Sequence, residues 1–425
     1  MKRYFLHIIL GGLLASSFTA CQQDVPNVEQ TDEVSRRIYL SARVNEATKV
    51  TRAPYDPPQT DNVCLPTNEK PLDVSVWATT FPNSFKHIIE DGEPLDGSRD
   101  NRVAIHTSAH FQSGEPQLLG EAIYPTPTEG NNVEVDFVGL HPQSDQWTTN
   151  DDGSHATFKF SGNEDVMFAP KITGEYGLDY EENSALVPTF HFYHLLTWLR
   201  ISIVAYLGED EENSTTLTED DKKLKREKVS NAWGKIKSLT ITSKDQITIH
   251  NLGTTGYKVV DGTPQIDKNE FTNEEKVSFT NSDTNAETLN LYCHNTDDQF
   301  PITGKDDDNT VPNEFKGVIP TSVTPTAYVM CAPIVGATQD VLGNPVPEYT
   351  LHIRTEHREM DIPLDLKGDE GNPFTGSTMG KVFNIQLRFK MGDVISVSTE
   401  ISVGGDADWF THGTGTGDIT EGDLE

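Results

Sequence analysis

The sequence predicts an all-β protein built of two β-sandwich domains in tandem, and three observations carry that prediction. Short runs rich in Val, Ile, Phe and Thr alternate apolar and polar residues with period two. Clusters of Gly, Pro, Asn and Asp separate them, as turns between strands require. Helical periodicity is nearly absent, and 425 residues are enough for two or three domains.

Taken in order, residues 22–36 are polar, contain Pro26 and lack periodicity, which describes a flexible tether. Residues 38–44, Ile-Tyr-Leu-Ser-Ala-Arg-Val, have the β-branched and aromatic content of a first strand. Strands are then expected over 74–77, 133–138 and 156–160. Beyond a polar turn near 182–184, they are expected over 186–206, 236–241, 246–249, 327–335, 349–353, 382–390 and 394–403. The clearest helix is 218–229, where Glu219, Asp220 and Asp221 precede Lys222, Lys223, Lys225 and Arg226, a charge order that suits the helix dipole. It reads as a solvated excursion from a sheet. The resulting division is a signal at 1–20, a tether at 21–36, sandwich domains at 37–183 and 184–410, and a flexible acidic tail at 411–425.

The amino terminus has the layout of a secretory signal: Lys2 and Arg3, an apolar run over 4–14, and small residues ending at Ala20 and Cys21. Phe18-Thr19-Ala20-Cys21 fits a lipobox, with Phe18 in place of the usual Leu, so Cys21 is the expected lipidation site. An ordinary cleaved signal beside a chance cysteine is the alternative. No later segment has the run of about 18 apolar residues a membrane helix needs. The formal charge of −33 opposes association with nucleic acid, and the 35% apolar content indicates modest cores carrying long polar loops. Cys64, Cys293 and Cys331 form no CxxC pair, so neither a disulfide framework nor a zinc site is indicated. Cys293 and Cys331 read as buried core thiols.

No catalytic set can be named, and neither metal nor cofactor is expected. His191 and His194, in His-Phe-Tyr-His, would face opposite sides of a strand and could not jointly chelate a metal. Glu356-His357-Arg358-Glu359 lacks the second His of a metalloprotease helix. Residues 376–381, Gly-Ser-Thr-Met-Gly-Lys, are one residue short of a phosphate loop, and Val382 stands where a magnesium-binding hydroxyl belongs. The acidic runs 209–212 and 306–308 lack a calcium-loop pattern and read as solvated loops. A Ser-His-Asp site assembled from distant residues leaves no trace in one sequence.

Several segments together resemble the fimbrillin-like family of Bacteroides-type bacteria, whose members polymerise into type V pili. These are the lipobox at Cys21, the first strand followed by Thr51-Arg52, Tyr124-Pro125, the segment 135–142 with 165–169, Phe190-His191-Phe192-Tyr193-His194 leading into a strand, and 382–387 followed by 395–403 and Asp408-Trp409. The resemblance covers almost the whole chain. It implies two transthyretin-like β-sandwich domains, passage as a lipoprotein to the outer surface, and cleavage after an arginine by a trypsin-like protease.

Arg52, before Ala53-Pro54, is the position the resemblance points to for that cut, with Arg37 of Arg36-Arg37 as a second. Cleavage removes the strand bearing Ile38, Leu40, Ala42 and Val44 and leaves unpaired backbone and an apolar groove. A neighbouring subunit then fills it by strand addition. The donor expected is the alternation Ile395, Val397, Thr399, Ile401, Val403. The expected partners are other pilin subunits, the outer membrane through the lipid before processing, and host proteins or glycans.

Two other readings stand beside this one. Polar insertions at 209–228 and 303–313 suit a tip or anchor subunit that does not polymerise. A surface glycan-binding lipoprotein would use exposed Trp77, Trp147 or Trp233 as stacking platforms.

Overall fold

The computed structural model describes residues 37–45, 63–64, 66, 68, 71–80, 84–86, 104–112, 115–125, 134–175, 187–253, 257–260, 263–266, 276–283, 288–293, 316–322, 325–334, 349–366, 378–392 and 394–401. Cys21, Arg52, Ala53, Val403, the tether, the tail, the run 306–308 and the boundary region 182–184 lie outside these residues.

The amino-terminal half supplies β1 (Arg37–Asn45), β2 (Val63–Cys64), β3 (Leu72–Thr79), β4 (Ala104–Phe111), β5 (Gln117–Ile123), β6 (Glu134–His141), β7 (Thr148–Thr149), β8 (Ala156–Lys159) and β9 (Met167–Glu175). The chain continues through β10 (Thr189–His194), β11 (Thr197–Ala205), helices α1 (Glu209–Glu212) and α2 (Glu219–Trp233), β12 (Ile236–Thr242), β13 (Gln246–Ile249), β14 (Tyr257–Val260), β15 (Thr263–Ile266), β16 (Val277–Thr280), β17 (Thr288–Asn290) and β18 (Tyr292–Cys293). It closes with β19 (Pro325–Cys331), β20 (Tyr349–Thr355), β21 (Glu359–Leu364), β22 (Val382–Lys390) and β23 (Val394–Ile401). The protein is all-β, as its period-two pattern dictates.

The largest sheet has the order β2-β1-β10-β9-β6-β3-β4, with β5 also paired to β1. A second sheet runs β18-β19-β11-β22-β23 and a third β17-β12-β20-β21. The sheet β16-β13-β8-β7 joins the two halves of the chain, because β8 pairs antiparallel with β13. Ala156 and Phe158 of β8 pack in one buried cluster with Ile247 and Ile249 of β13. The apolar core is therefore continuous across this seam.

The helical region departs from the expected solvated excursion. Thr218 caps α2, its hydroxyl accepting the Asp221 N–H while the Asp221 carboxylate accepts the Thr218 N–H. The helix then runs on to Trp233 and buries Val229, Ser230 and Trp233. Val229 and Trp233, four apart, share one face, so the last turn docks on the sheet although the first two are charged. The acidic run 209–212, expected as a solvated loop, is the helical turn α1. Glu211 pairs with Lys225 at 2.8 Å and Glu212 with Arg226, so α1 is clamped to α2.

Candidate functional site

The candidate site is the place β1 occupies. Its residues alternate as the sequence predicts: Ile38, Leu40, Ala42 and Val44 are at most 1% exposed, while Arg37 and Arg43 face solvent. The carboxy-terminal part of the strand pairs parallel with β10, Ala42 opposite Phe190 and Val44 opposite Phe192. The amino-terminal part pairs antiparallel with β5 through a bulge, and the end pairs with β2 on the edge opposite β10. β1 is therefore held by β10 over 41–45, by β2 at 44–45 and by β5 over 37–40, and its removal would open a slot lined by the backbone of all three.

The floor of that slot is aromatic. Phe190 and Phe192 are fully buried, their ring centroids 5.7 Å apart, and Phe111 meets Phe190 edge-on at 6.4 Å. Gly139 of β6 makes room for them: a Cβ there would lie 2.6 Å from Cζ of Phe192. The opposite face of β1 carries one buried polar group, Ser41, whose Oγ is 2.6 Å from Oγ1 of Thr189. The Thr189 hydroxyl donates to the Val187 carbonyl at 3.1 Å, so its oxygen accepts from Ser41.

The expected donor forms β23, which pairs antiparallel with β22 along its length, Phe389 opposite Ile395 through Phe383 opposite Ile401. Ile395 and Val397 pack half-buried on the core. Among the described residues β23 ends the order of its sheet and is paired on one edge. Arg37, the second processing candidate, is exposed at the first position of β1, directly before the buried Ile38.

The remaining candidates resolve into packing. His194 lies on the buried face of β10 and its Nδ1 is 2.8 Å from Asp165 Oδ2, whereas His191 lies on the other face. Residues 356–359 span the turn between β20 and β21 rather than a helix, and Arg358 stacks over Trp233 at 4.4 Å. In the glycine-bearing run 376–381, Thr378 is buried with its hydroxyl 2.7 Å from that of Thr197, so it serves packing. Cys331 is fully buried, and desolvation pushes its thiol well above the ordinary range, as expected of a core thiol. Among the described residues no group of three or more His, Cys, Asp or Glu could hold a metal, and no helix is long and apolar enough to cross a membrane.

The three tryptophans put forward as glycan platforms are not exposed. Trp77 is 2% exposed and stacks on His106 at 4.0 Å. Trp147 is 6% exposed and donates to the Pro142 carbonyl, and Trp233 is fully buried and donates to that of Lys390. A large apolar ring with one polar atom gains more from the core when a carbonyl waits for its N–H than from solvent, which sequence does not reveal.

No family model matches the sequence, and no curated protein matches it. Among solved structures, the chain is similar to a candidate cell adhesion protein from Bacteroides ovatus, at 12% identity, covering 89% of this chain and 99% of that one with a TM-score of 0.40. It is similar to the fimbrial anchor protein from Porphyromonas gingivalis, at 11% identity, 86% and 97% coverage and a TM-score of 0.31. A fimbrial assembly protein from Parabacteroides distasonis gives 11% identity, 87% and 99% coverage and a TM-score of 0.31.

Proposed function

We propose that this protein is a structural subunit of a surface fimbria of the fimbrillin-like kind, working by assembly and adhesion rather than by catalysis. It is exported as a lipoprotein on Cys21, cut after Arg52, and joined to its neighbours when a strand from the next subunit replaces β1. The observation that carries this reading is β1 itself, paired with β10 and β2 over its carboxy-terminal part and with β5 over its amino-terminal part, with four alternate side chains in the core. Burying the three larger ones contributes on the order of 5 kcal/mol. A chain that loses β1 therefore gains a strong, shape-specific affinity for another strand.

Cleavage at Arg52 both frees the subunit from its lipid and opens the slot, so release and polymerisation become one event. An uncut chain keeps its own β1 and its lipid, which is the state suited to an anchor. The test is mass spectrometry of protein recovered from the cell surface, comparing wild type with Arg52→Ala. A mature chain beginning at Ala53, lost in the variant together with high-mass polymers, supports the reading. A lipidated chain beginning at Cys21 in both would refute polymerisation and leave the non-polymerising anchor.

A further inference from the structure

We propose that the solvent face of β22 around Tyr206 binds an acidic polysaccharide, with Arg388 and Lys390 holding its carboxylate or sulfate groups. This deepens the adhesion part of the reading above by naming the class of partner. Alternation builds the site: Ile385, Leu387 and Phe389 of β22 are buried, so Gln386, Arg388 and Lys390 share the opposite face. Tyr206, directly after β11, is placed beside them by its N–H, which donates to the Phe389 carbonyl at 2.8 Å. Its ring carries both cations, with Arg388 Cζ 4.9 Å and Lys390 Nζ 5.3 Å from the centroid. The two charges therefore stand within one Debye length of each other, about 10 Å at 0.1 M salt.

Each cation is attracted to the ring, but the two repel one another. A carboxylate between them would settle the conflict, and this chain has 66 acidic residues to 33 basic ones. Yet among the described residues neither Arg388 nor Lys390 forms an ion pair. Glu212 of α1, just beyond Tyr206 in the chain, is taken up through both oxygens by Arg226. Arg388 Nε donates to Gln386 Oε1 at 2.6 Å, which fixes the guanidinium and keeps its two terminal nitrogens for a carboxylate or sulfate in forked geometry. The Gln386 amide nitrogen is then a further donor. An anion from outside completes this arrangement.

The charge of −33 does not forbid such a ligand, because screening confines each charge to its neighbourhood and the local sign decides at contact. The surroundings favour a sugar. Across the sheet the same face continues with Ser202 in register with Gln386 and Ser396 with Arg388, both half-buried, and these hydroxyls suit the hydroxyl groups of a saccharide. A carboxylate in register on this face, Glu400, falls opposite Asn384, at the end away from Lys390. A protein partner would want a large apolar anchor at the centre. The exposed large apolar side chains among the described residues are Leu118, Leu224, Val318 and Met391, and none lies on β11, β22 or β23.

The test is biolayer interferometry of the full-length chain on immobilised heparin, which is sulfated, and polygalacturonate, which is carboxylated, with neutral dextran as reference. At least one acidic polysaccharide should capture the protein and release it as salt rises. Arg388→Gln with Lys390→Gln should raise Kd about tenfold, as two charge-assisted contacts are lost. Lys223→Gln with Lys228→Gln, on the exposed side of α2, removes the same charge and should leave Kd unchanged. Equal losses in the two double variants would reduce binding to total charge and overturn the site. Failure of both acidic polysaccharides, or equal capture by dextran, would overturn it as well. Polyglutamate binding as tightly as either polysaccharide would overturn the sugar and leave an acidic protein as the partner. As a second measurement on wild-type protein, bound polysaccharide should shield Lys390 and not Lys223 from acetylation, read by mass spectrometry; the reverse would place the ligand elsewhere. The subunit reading fails separately, on processed chains that never polymerise whatever the polysaccharide does.

Discussion

β1 and β23 share an alternation of inward Ile, Leu or Val with outward polar residues, yet one is buried between two neighbours and the other closes a sheet as its last strand. Position, not composition, separates them. In β1 every inward side chain is sealed, whereas Ile395 and Val397 of β23 are only half-buried. The difference teaches that the strand specified at one end of the chain is indispensable to the core, and the strand at the other end is attached to it.

The widest gap should come from truncating matched positions. Leu40→Ala leaves a cavity in the sealed core and should cost about 3 kcal/mol, whereas Val397→Ala on the edge strand should cost about 1 kcal/mol. Urea denaturation of the uncut proteins measures both, and equal losses would break the comparison. Next, Gly139→Ala pushes a methyl into Phe192 beneath β1 and should destabilise by about 2 kcal/mol. The same experiment reads it, and a neutral result would show that the floor of the slot can yield.

Arg358→Ala, far from β1, removes the guanidinium over Trp233, whose N–H holds the Lys390 carbonyl at the end of β22 beside β23. About 0.5–1 kcal/mol is expected. Faster amide exchange in β23 with β1 unchanged would show that the two strands can be loosened separately.

The seam between the halves gives the smallest effect. His155 and His250 flank the β8–β13 pairing with their rings 4.6 Å apart, and burial with His155 nearby lowers the affinity of His250 for a proton. Asn150 Oδ1 accepts the backbone N–H of His155, which turns its amide nitrogen toward His155 Nδ1. The unfolded chain thus binds more protons than the folded one as pH falls from about 6.5, where an unperturbed His titrates, toward the lower folded value. Stability is fully present above that window and declines as pH drops through it. His250→Gln should flatten the decline, and thermal melts between pH 5 and about 7.5 would show it.

Much of this was legible in the chain. The strands at 38–44, 349–353, 382–390 and 394–403 follow from alternation, because a period of two has only one regular backbone to satisfy it. The opposite faces of His191 and His194 follow from the same rule. The buried tryptophans were not legible, since an indole reads alike in a core and on a sugar platform. Nor was the docking of α2, where two residues, Val229 and Trp233, outweigh a charged surface because only the last turn meets the sheet.

By itself, then, the sequence determined the strands with clear alternation, such as 38–44, 349–353 and 382–390, and which of their side chains turn inward, since these are local consequences of residue order, while strands such as 104–111 and 117–123 were not read from it. Only the tertiary structure decided that β1 lies between β2 and β10 and β23 at a sheet end among the described residues, that β8 crosses to β13, and that Ser41 and Thr189 share a hydrogen bond. Each of these depends on pairing between segments far apart in the chain, and pairing is chosen by the joint fit of a whole core rather than by any one strand.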